Sequence, residues 1–488
     1  MVFSSLIFIL VFLSLNLLCY FFVDSIKVRN IVLLLFSLVF YAWGEPVYVL
    51  ILIAMSWFCW VFSRLIEKST KNGTRKFILL CAVAVCIASI GYFKYAGFIV
   101  ENINSLAGFT LFTVPKVSLP IGISFYTFQL LTYVVDVYRK EVPAQKKYRC
   151  VLLYAGLFHQ CVAGPIVRYG DIEEQIMHRK EDIACVSQGI TRFTFGLAKK
   201  AVLANSCAAV ADTLLLSDAA IANKDILIEN IMSVQSSSAL TLWVGMAFYM
   251  LQIYLDFSAY SDMAIGLGLI CGFRYKENFD YPYCSSSVTE FWRRWHISLG
   301  TFFRDYVYIP LGGNRKGKIR TYINLFIVWS LTGLWHGASW NFVLWGLYFF
   351  VFLVIEKAFL GKILKKGIFS RIYLLAVVFF GWVFFKFTDI SLLISVFRGM
   401  FALNSNDWFT FESLSFAKDY IFFFVICVLA CTPVYKKLGE RVREKGQSNK
   451  VFAAVYNLSN VLIPAVLLIV SCLALVGDSY NPFIYFQF

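Results

Sequence analysis

Apolar residues run along this chain in stretches of about 20, the length at which an α-helix crosses a hydrocarbon core of ~30 Å. Uninterrupted stretches fall near Leu6–Phe22, Ile31–Trp43, Val47–Phe62, Phe77–Phe93, Leu240–Leu255, Tyr322–Trp335, Phe342–Val354, Leu374–Phe385, Tyr420–Ala430 and Val451–Val476. Others, near 119–138, 147–164 and 188–216, are broken by Pro, Gly or polar residues. The pattern predicts an all-α polytopic integral membrane protein with roughly 11–13 membrane helices, some of them interfacial or re-entrant. Leu6–Phe22 has neither a basic flank nor a small-residue cleavage site, so it is expected to be a retained span.

Composition removes the soluble alternatives. Of 488 residues, 60% are hydrophobic and 15% charged, where an ordinary soluble domain carries about 25% charged residues. Mean hydropathy is +0.72. The net charge of +15 is concentrated in loops, with Lys and Arg clustered at 64–76, 139–149, 357–371 and 436–450. By the positive-inside rule these loops are cytoplasmic, which puts both termini outside. A basic balance can also indicate nucleic acid, but here the lipid bilayer explains it and no nucleic-acid partner is expected. The thirteen Cys show no metal spacing and read as small buried hydrophobes.

From about 256 to 340 the pattern changes. Asp256, Asp262, Glu290, Arg293, Arg294, His296, Arg304, Asp305 and His336 lie within or beside strongly apolar, aromatic sequence. Ionisable groups at membrane depth are costly and mark an interior or a wet cavity. The run Phe291-Trp292-Arg293-Arg294-Trp295-His296 suits a short interfacial helix. The turn-rich loop Pro310–Lys318, with Asn314 and Arg315, reads either as a holder of donor phosphates or as a plain cytoplasmic connector. His336 sits among Trp and small residues, and the neighbouring Gly and Ala suggest room for a ligand. It is either a core histidine satisfied by a carbonyl or a neutral base able to deprotonate a hydroxyl.

At these residues the chain resembles the membrane-bound O-acyltransferases, in their alginate O-acetyltransferase branch. The resemblance is carried by Asp256-Phe257-Ser258-Ala259-Tyr260-Ser261-Asp262-Met263-Ala264-Ile265-Gly266, Glu290 to Ser298, Arg304 to Arg315 and Gly333 to Trp340. Leu119 to Gln129 and Ala163 to Arg168 fit it upstream. It implies a single membrane domain over 1–488, with a core signature region at 119–345, a thin centre and a transmembrane tunnel where donor and acceptor meet. It also implies His336 as general base, His296 as a supporting or donor-positioning residue, and Arg293, Arg294, Arg304, Asn314 and Arg315 as donor-binding. No permanently bound cofactor is expected. Acetyl-CoA or an acyl carrier thioester would be the donor substrate, and an exported polysaccharide or cell-wall polymer the acceptor, at a bacterial cytoplasmic membrane.

The ending Asn481-Pro482-Phe483-Ile484-Tyr485-Phe486-Gln487-Phe488 resembles a Phe-x-Tyr-x-x-Phe tail of relatives in which the tyrosine looks like an acyl carrier. A phenol can serve as nucleophile once a base takes its proton. The alternative is an aromatic anchor in a tail, 477–488, outside the membrane. Gly477-Asp478-Ser479 mimics an SGNH esterase block and is expected to be coincidental, so an SGNH-like extracytoplasmic partner is expected instead. Two other functions remain open. A D-alanyl transferase for teichoic acid is disfavoured by the Gly312-Gly313-Asn314-Arg315 run, and a non-catalytic transporter by the lack of a repeat between the halves.

Overall fold

The computed structural model describes residues 1–162, 164–216, 224–364 and 367–477. These residues form helices and loops with no β-strand among them. Their contacts gather into two compact units, one of Met1–Gly196 with Tyr260–Glu277, the other of Leu197–Ala259 with Asn278 onward.

The first unit begins with α1 (Ile7–Phe21), α2 (Ile26–Gly44), α3 (Val49–Lys68) and α4 (Asn72–Ala107). It continues with α5 (Ile123–Arg139), α6 (Tyr148–Gly156), α7 (Tyr169–His178) and α8 (Ile183–Ala198). Here α3 packs against α4, α5 and α6, and α2 against α6 and α7. The apolar stretch at 147–164 does not become a span. It yields only the short helix α6, because Leu157 leaves helical geometry at φ −49° and ψ 118°.

The second unit contains α9 (Asn205–Leu215), α10 (Lys224–Ser236) and most of α11 (Ala239–Ile270). The short α12 (Val288–Arg294) and α13 (Ile297–Phe303) come next, then α14 (Gly317–His336), α15 (Trp340–Leu360) and α16 (Ile368–Lys386). It ends with α17 (Ile390–Met400), α18 (Phe411–Ala430), α19 (Val434–Gly446) and α20 (Lys450–Gly477). The pairs α14–α15 and α15–α16 are packed, and α12 touches both α15 and α16.

Among the described residues eight helices are long and apolar enough to cross a membrane, and α1 and α17 are shorter apolar helices. Phe422 and Leu429 on α18, and Val466 and Leu473 on α20, are exposed. Such exposure is stable only where lipid is the solvent. By contrast α11 is buried along most of its span. It carries the buried Gln252, Asp256 and Ser258 inward, where protein rather than lipid meets them. Asp256 is paired with the buried Lys200 at 2.9 Å, which makes both charges tolerable at depth. The protein is a multi-pass membrane protein.

Candidate active site

The site is built around the short helix α12, whose start is held by two side chains. Ser287 Oγ accepts from the Glu290 backbone N–H at 3.0 Å. The buried Glu356, on the last turns of α15, accepts from the backbone N–H groups of Val288 at 2.6 Å and Thr289 at 2.9 Å. It also takes the Thr289 hydroxyl at 2.7 Å. A carboxylate at a helix N-terminus satisfies orphan donors and complements the helix dipole. These bonds tie α12 to α15 and so fix the turn that leaves α12.

That turn holds Trp295 and then His296, whose backbone lies in the left-handed region at φ 45°. A non-glycine residue holds that conformation only when its surroundings enforce it. Asn278, fully buried, supplies the enforcement. Its carbonyl accepts from the Ile297 N–H at 2.9 Å. Its Oδ1 accepts from the Ser298 N–H at 3.2 Å and the Ser298 hydroxyl at 2.8 Å, and lies 3.2 Å from His296 Nδ1. Because a backbone N–H donates to that Oδ1, the His296 Nδ1 facing it carries the proton. The tautomer is thereby set, and Nε2 keeps its lone pair. Burial pushes the His296 imidazole down to about 3, so it is neutral at pH 7. A nitrogen that weakly basic accepts a hydrogen bond but does not take a proton, which suits a positioning role rather than that of a base.

His336 closes α14 and is also buried. The Trp335 ring packs against both histidines, 5.8 Å from the His296 ring and 4.9 Å from that of His336. Trp345 and Phe385 present their rings to His336 at 4.8 and 5.1 Å. The α14–α15 hairpin is tight because Gly333 and Gly346 face each other. A Cβ at Gly333 would lie 2.4 Å from the Phe342 carbonyl oxygen, and one at Gly346 2.4 Å from that of Trp329. Asn341 then donates to the Phe384 carbonyl at 3.1 Å, joining α15 to the end of α16 that carries Phe385. Gly337 does not leave the room expected of it, since a Cβ there would meet the Phe342 ring at 2.2 Å. The glycine admits a neighbouring aromatic ring rather than a ligand.

The candidate donor-binding residues separate into groups. Arg293 is exposed, while Arg294, half-buried, pairs with Glu290 at 2.7 Å. Arg304, exposed, pairs with Asp305 at 2.7 Å. Asn314 takes a hydrogen bond from Lys357 at 3.0 Å and one from the Tyr308 hydroxyl, and Arg315 is exposed. The Gly313 carbonyl accepts from Asn324 of α14 at 3.0 Å. The Pro310–Lys316 loop is thus anchored at the start of the same helix that ends in His336. Asn324 precedes His336 along this helix by a rise of roughly 18 Å, so the loop that carries Asn314 and Arg315 does not lie beside His336.

Sequence reasoning missed two residues of the site. Glu356, a lone acid ending an apolar helix, was signalled by the same rule that singled out Asp256. Asn278, a neutral amide 18 residues before His296, carried no signal. Tyr485 lies outside the described residues.

Residues 147–397 match the family model of the membrane-bound O-acyltransferases. The chain is 36% identical to a probable alginate O-acetylase of Pseudomonas putida over the whole of both chains. It is 30% identical to a peptidoglycan O-acetyltransferase of Helicobacter pylori, across 83% of this chain and 80% of that one. With a teichoic acid D-alanyltransferase of Bacillus subtilis it shares 27% identity over 49% of its own length and 59% of the relative's. A helical, multi-pass chain with full-length likeness to such enzymes belongs to the membrane-bound O-acyltransferase family.

Proposed function

We propose that this enzyme transfers an acetyl group from a cytoplasmic thioester, acetyl-CoA or an acylated carrier, for O-acetylation of an exported polysaccharide or cell-wall polymer at a bacterial cytoplasmic membrane. The observation that carries the reading is that His336 and His296, both buried, pack against the one Trp335 ring. The acetyl group is favoured over D-alanine because the likeness to the acetylase extends over the whole chain, whereas that to the D-alanyltransferase covers about half.

In the reaction His336 takes the proton of a hydroxyl. The oxygen attacks the thioester carbonyl, the C–S bond breaks, and the proton passes to the departing thiolate, leaving a free thiol and an oxygen ester. Neutral His296 offers its Nε2 lone pair to orient the reacting groups. Arg293, Arg294, Arg304, Asn314 and Arg315 supply the cationic and hydrogen-bonding side chains for the donor's phosphates. Tyr485 is the hydroxyl that first receives the acetyl group, and an SGNH-like extracytoplasmic partner completes transfer to the polymer. The test is the acetyl content of exported polymer in cells lacking the gene and carrying either the wild-type copy or His336→Ala. Acetylation restored by the wild-type copy alone supports the reading; equal restoration by both overturns it.

A further inference from the structure

The first unit contains a cavity of about 320 Å³ that takes no part in the chemistry above. The first turns of two helices line it: Ser25 to Lys27 of α2, and Lys147 with Arg149 of α6. Neither helix has a side-chain cap and neither has an acid in its first turn. Their initial N–H groups therefore present partial positive charge where the cavity lies. Lys27, Lys147 and Arg149 add full charges, and His178 stands at the end of α7. Among the described residues no Asp or Glu lines the cavity. Asn30 is fixed in the wall, giving its amide to the Ile176 carbonyl at 2.7 Å and accepting from Arg179 at 2.6 Å. A concentration of this kind is built for an anion, and phosphate is the anion that two helix starts with Lys and Arg suit best.

The remainder of the wall is apolar, with Ile31 and Leu34 among its residues. Ile31 belongs to an exposed row, Val28, Ile31, Leu35 and Val39, spaced at three and four residues along one face of α2. These walls suit a molecule with a charged head and an apolar tail. Lys147 and Arg149 come from the basic 139–149 cluster that the positive-inside rule places at the cytoplasmic surface, at the depth of lipid headgroups.

We propose that this cavity binds the phosphate headgroup of an anionic membrane lipid, with an acyl chain lying along the exposed face of α2. The site is independent of the transfer reaction.

The experiment uses the full-length protein, delipidated in a neutral detergent and titrated with dioctanoyl-phosphatidylglycerol, dioctanoyl-phosphatidylcholine, sodium phosphate or acetyl-CoA. Binding is read by native mass spectrometry. Phosphatidylglycerol is expected to fill one site of higher affinity than phosphatidylcholine, weakening as salt is raised. In Lys27→Gln/Arg149→Gln, two exposed positions, its affinity is expected to fall about tenfold or more. Equal binding of the two lipids, or unchanged phosphatidylglycerol affinity in the double variant, overturns the proposal. Binding of sodium phosphate or acetyl-CoA that depends on Lys27 and Arg149, without such dependence for phosphatidylglycerol, assigns the cavity to a soluble phosphate and also overturns it.

Discussion

Replacing Asn278 by Ala is the most informative perturbation of the site, because it leaves both histidines in place and removes the group that orients one of them. The Oδ1 atom serves the Ser298 N–H, the Ser298 hydroxyl and His296 Nδ1–H. The hydroxyl can turn to another acceptor, whereas the Ser298 N–H loses this oxygen and the ring N–H is left facing the Ser298 Oγ at 3.4 Å. A buried donor left unsatisfied costs about 1–3 kcal/mol and one left with a long, weak bond costs less, so Asn278→Ala is expected to destabilise the protein by roughly 2–4 kcal/mol. Its effect on transfer is expected to be larger than the stability loss suggests. The left-handed turn at His296 relaxes, the ring loses its defined tautomer, and misplacement by about 1 Å costs on the order of 100-fold in rate. Two assays on detergent-purified protein read this: thermal unfolding, and thiol release from acetyl-CoA at a temperature where the variant is folded. Asn278→Asp keeps the acceptor and places a carboxylate against the ring, so it is expected to raise the His296 pKa and shift the pH profile of thiol release. If Asn278→Ala matches wild type in both melting and release, the amide does not position His296 and the geometric reasoning fails.

The buried, neutral His296 also makes stability depend on pH. Its folded-state value of about 3 lies below the ordinary 6.5, so between those limits the unfolded chain binds the extra proton. Stability is therefore full above about 6.5 and falls as the pH drops toward 3, by ~1.4 kcal/mol per unit at most. Unfolding measured at pH 5 and 7.5 should show a smaller loss on acidification in His296→Gln than in wild type. His159, buried and likewise held down to about 3, contributes its own slope to both proteins and cancels in the comparison. Glu356→Gln keeps the shape of the cap on α12 but removes its charge, and should cost about 1–3 kcal/mol in thermal unfolding. Wild-type stability would mean that the cap does not hold α12. Tyr485→Phe should stop acetyl delivery to polymer while His336-dependent thiol release to added hydroxyl acceptors persists, and polymer acetylation at the wild-type level would remove Tyr485 from the relay.

The membrane fold was legible because period and length are local properties: α3, α15, α16 and α20 fall on the stretches read from apolar runs. The stretch at 147–164 reads as broken in the sequence, but where it breaks is not legible there: Leu157 turns the chain out of helical geometry, which no hydropathy pattern records. His296 and His336 stood out as polar groups in apolar sequence. The shared contact of both imidazoles with the Trp335 ring depends on how the turn after α12 meets the end of α14. Gly337 shows the limit most plainly. A small residue beside a candidate base reads as space, yet the space belongs to Phe342, a neighbour five residues on whose ring direction is set by helix packing. Asn278 is invisible for the complementary reason: a neutral amide is ordinary in a polar loop, and it acts only through the turn it holds.

The proposed chemistry rests on His336 accepting a proton as the thioester is cleaved, and one measurement addresses that directly. Detergent-purified wild type and His336→Ala, matched by thermal unfolding as folded, are given acetyl-CoA, and free thiol is followed at pH 7.5. Loss of a general base costs about 10²–10⁴-fold, so release by the variant should fall at least about 100-fold. Release within a few-fold of wild type by the folded variant would show that the proton leaves by another route.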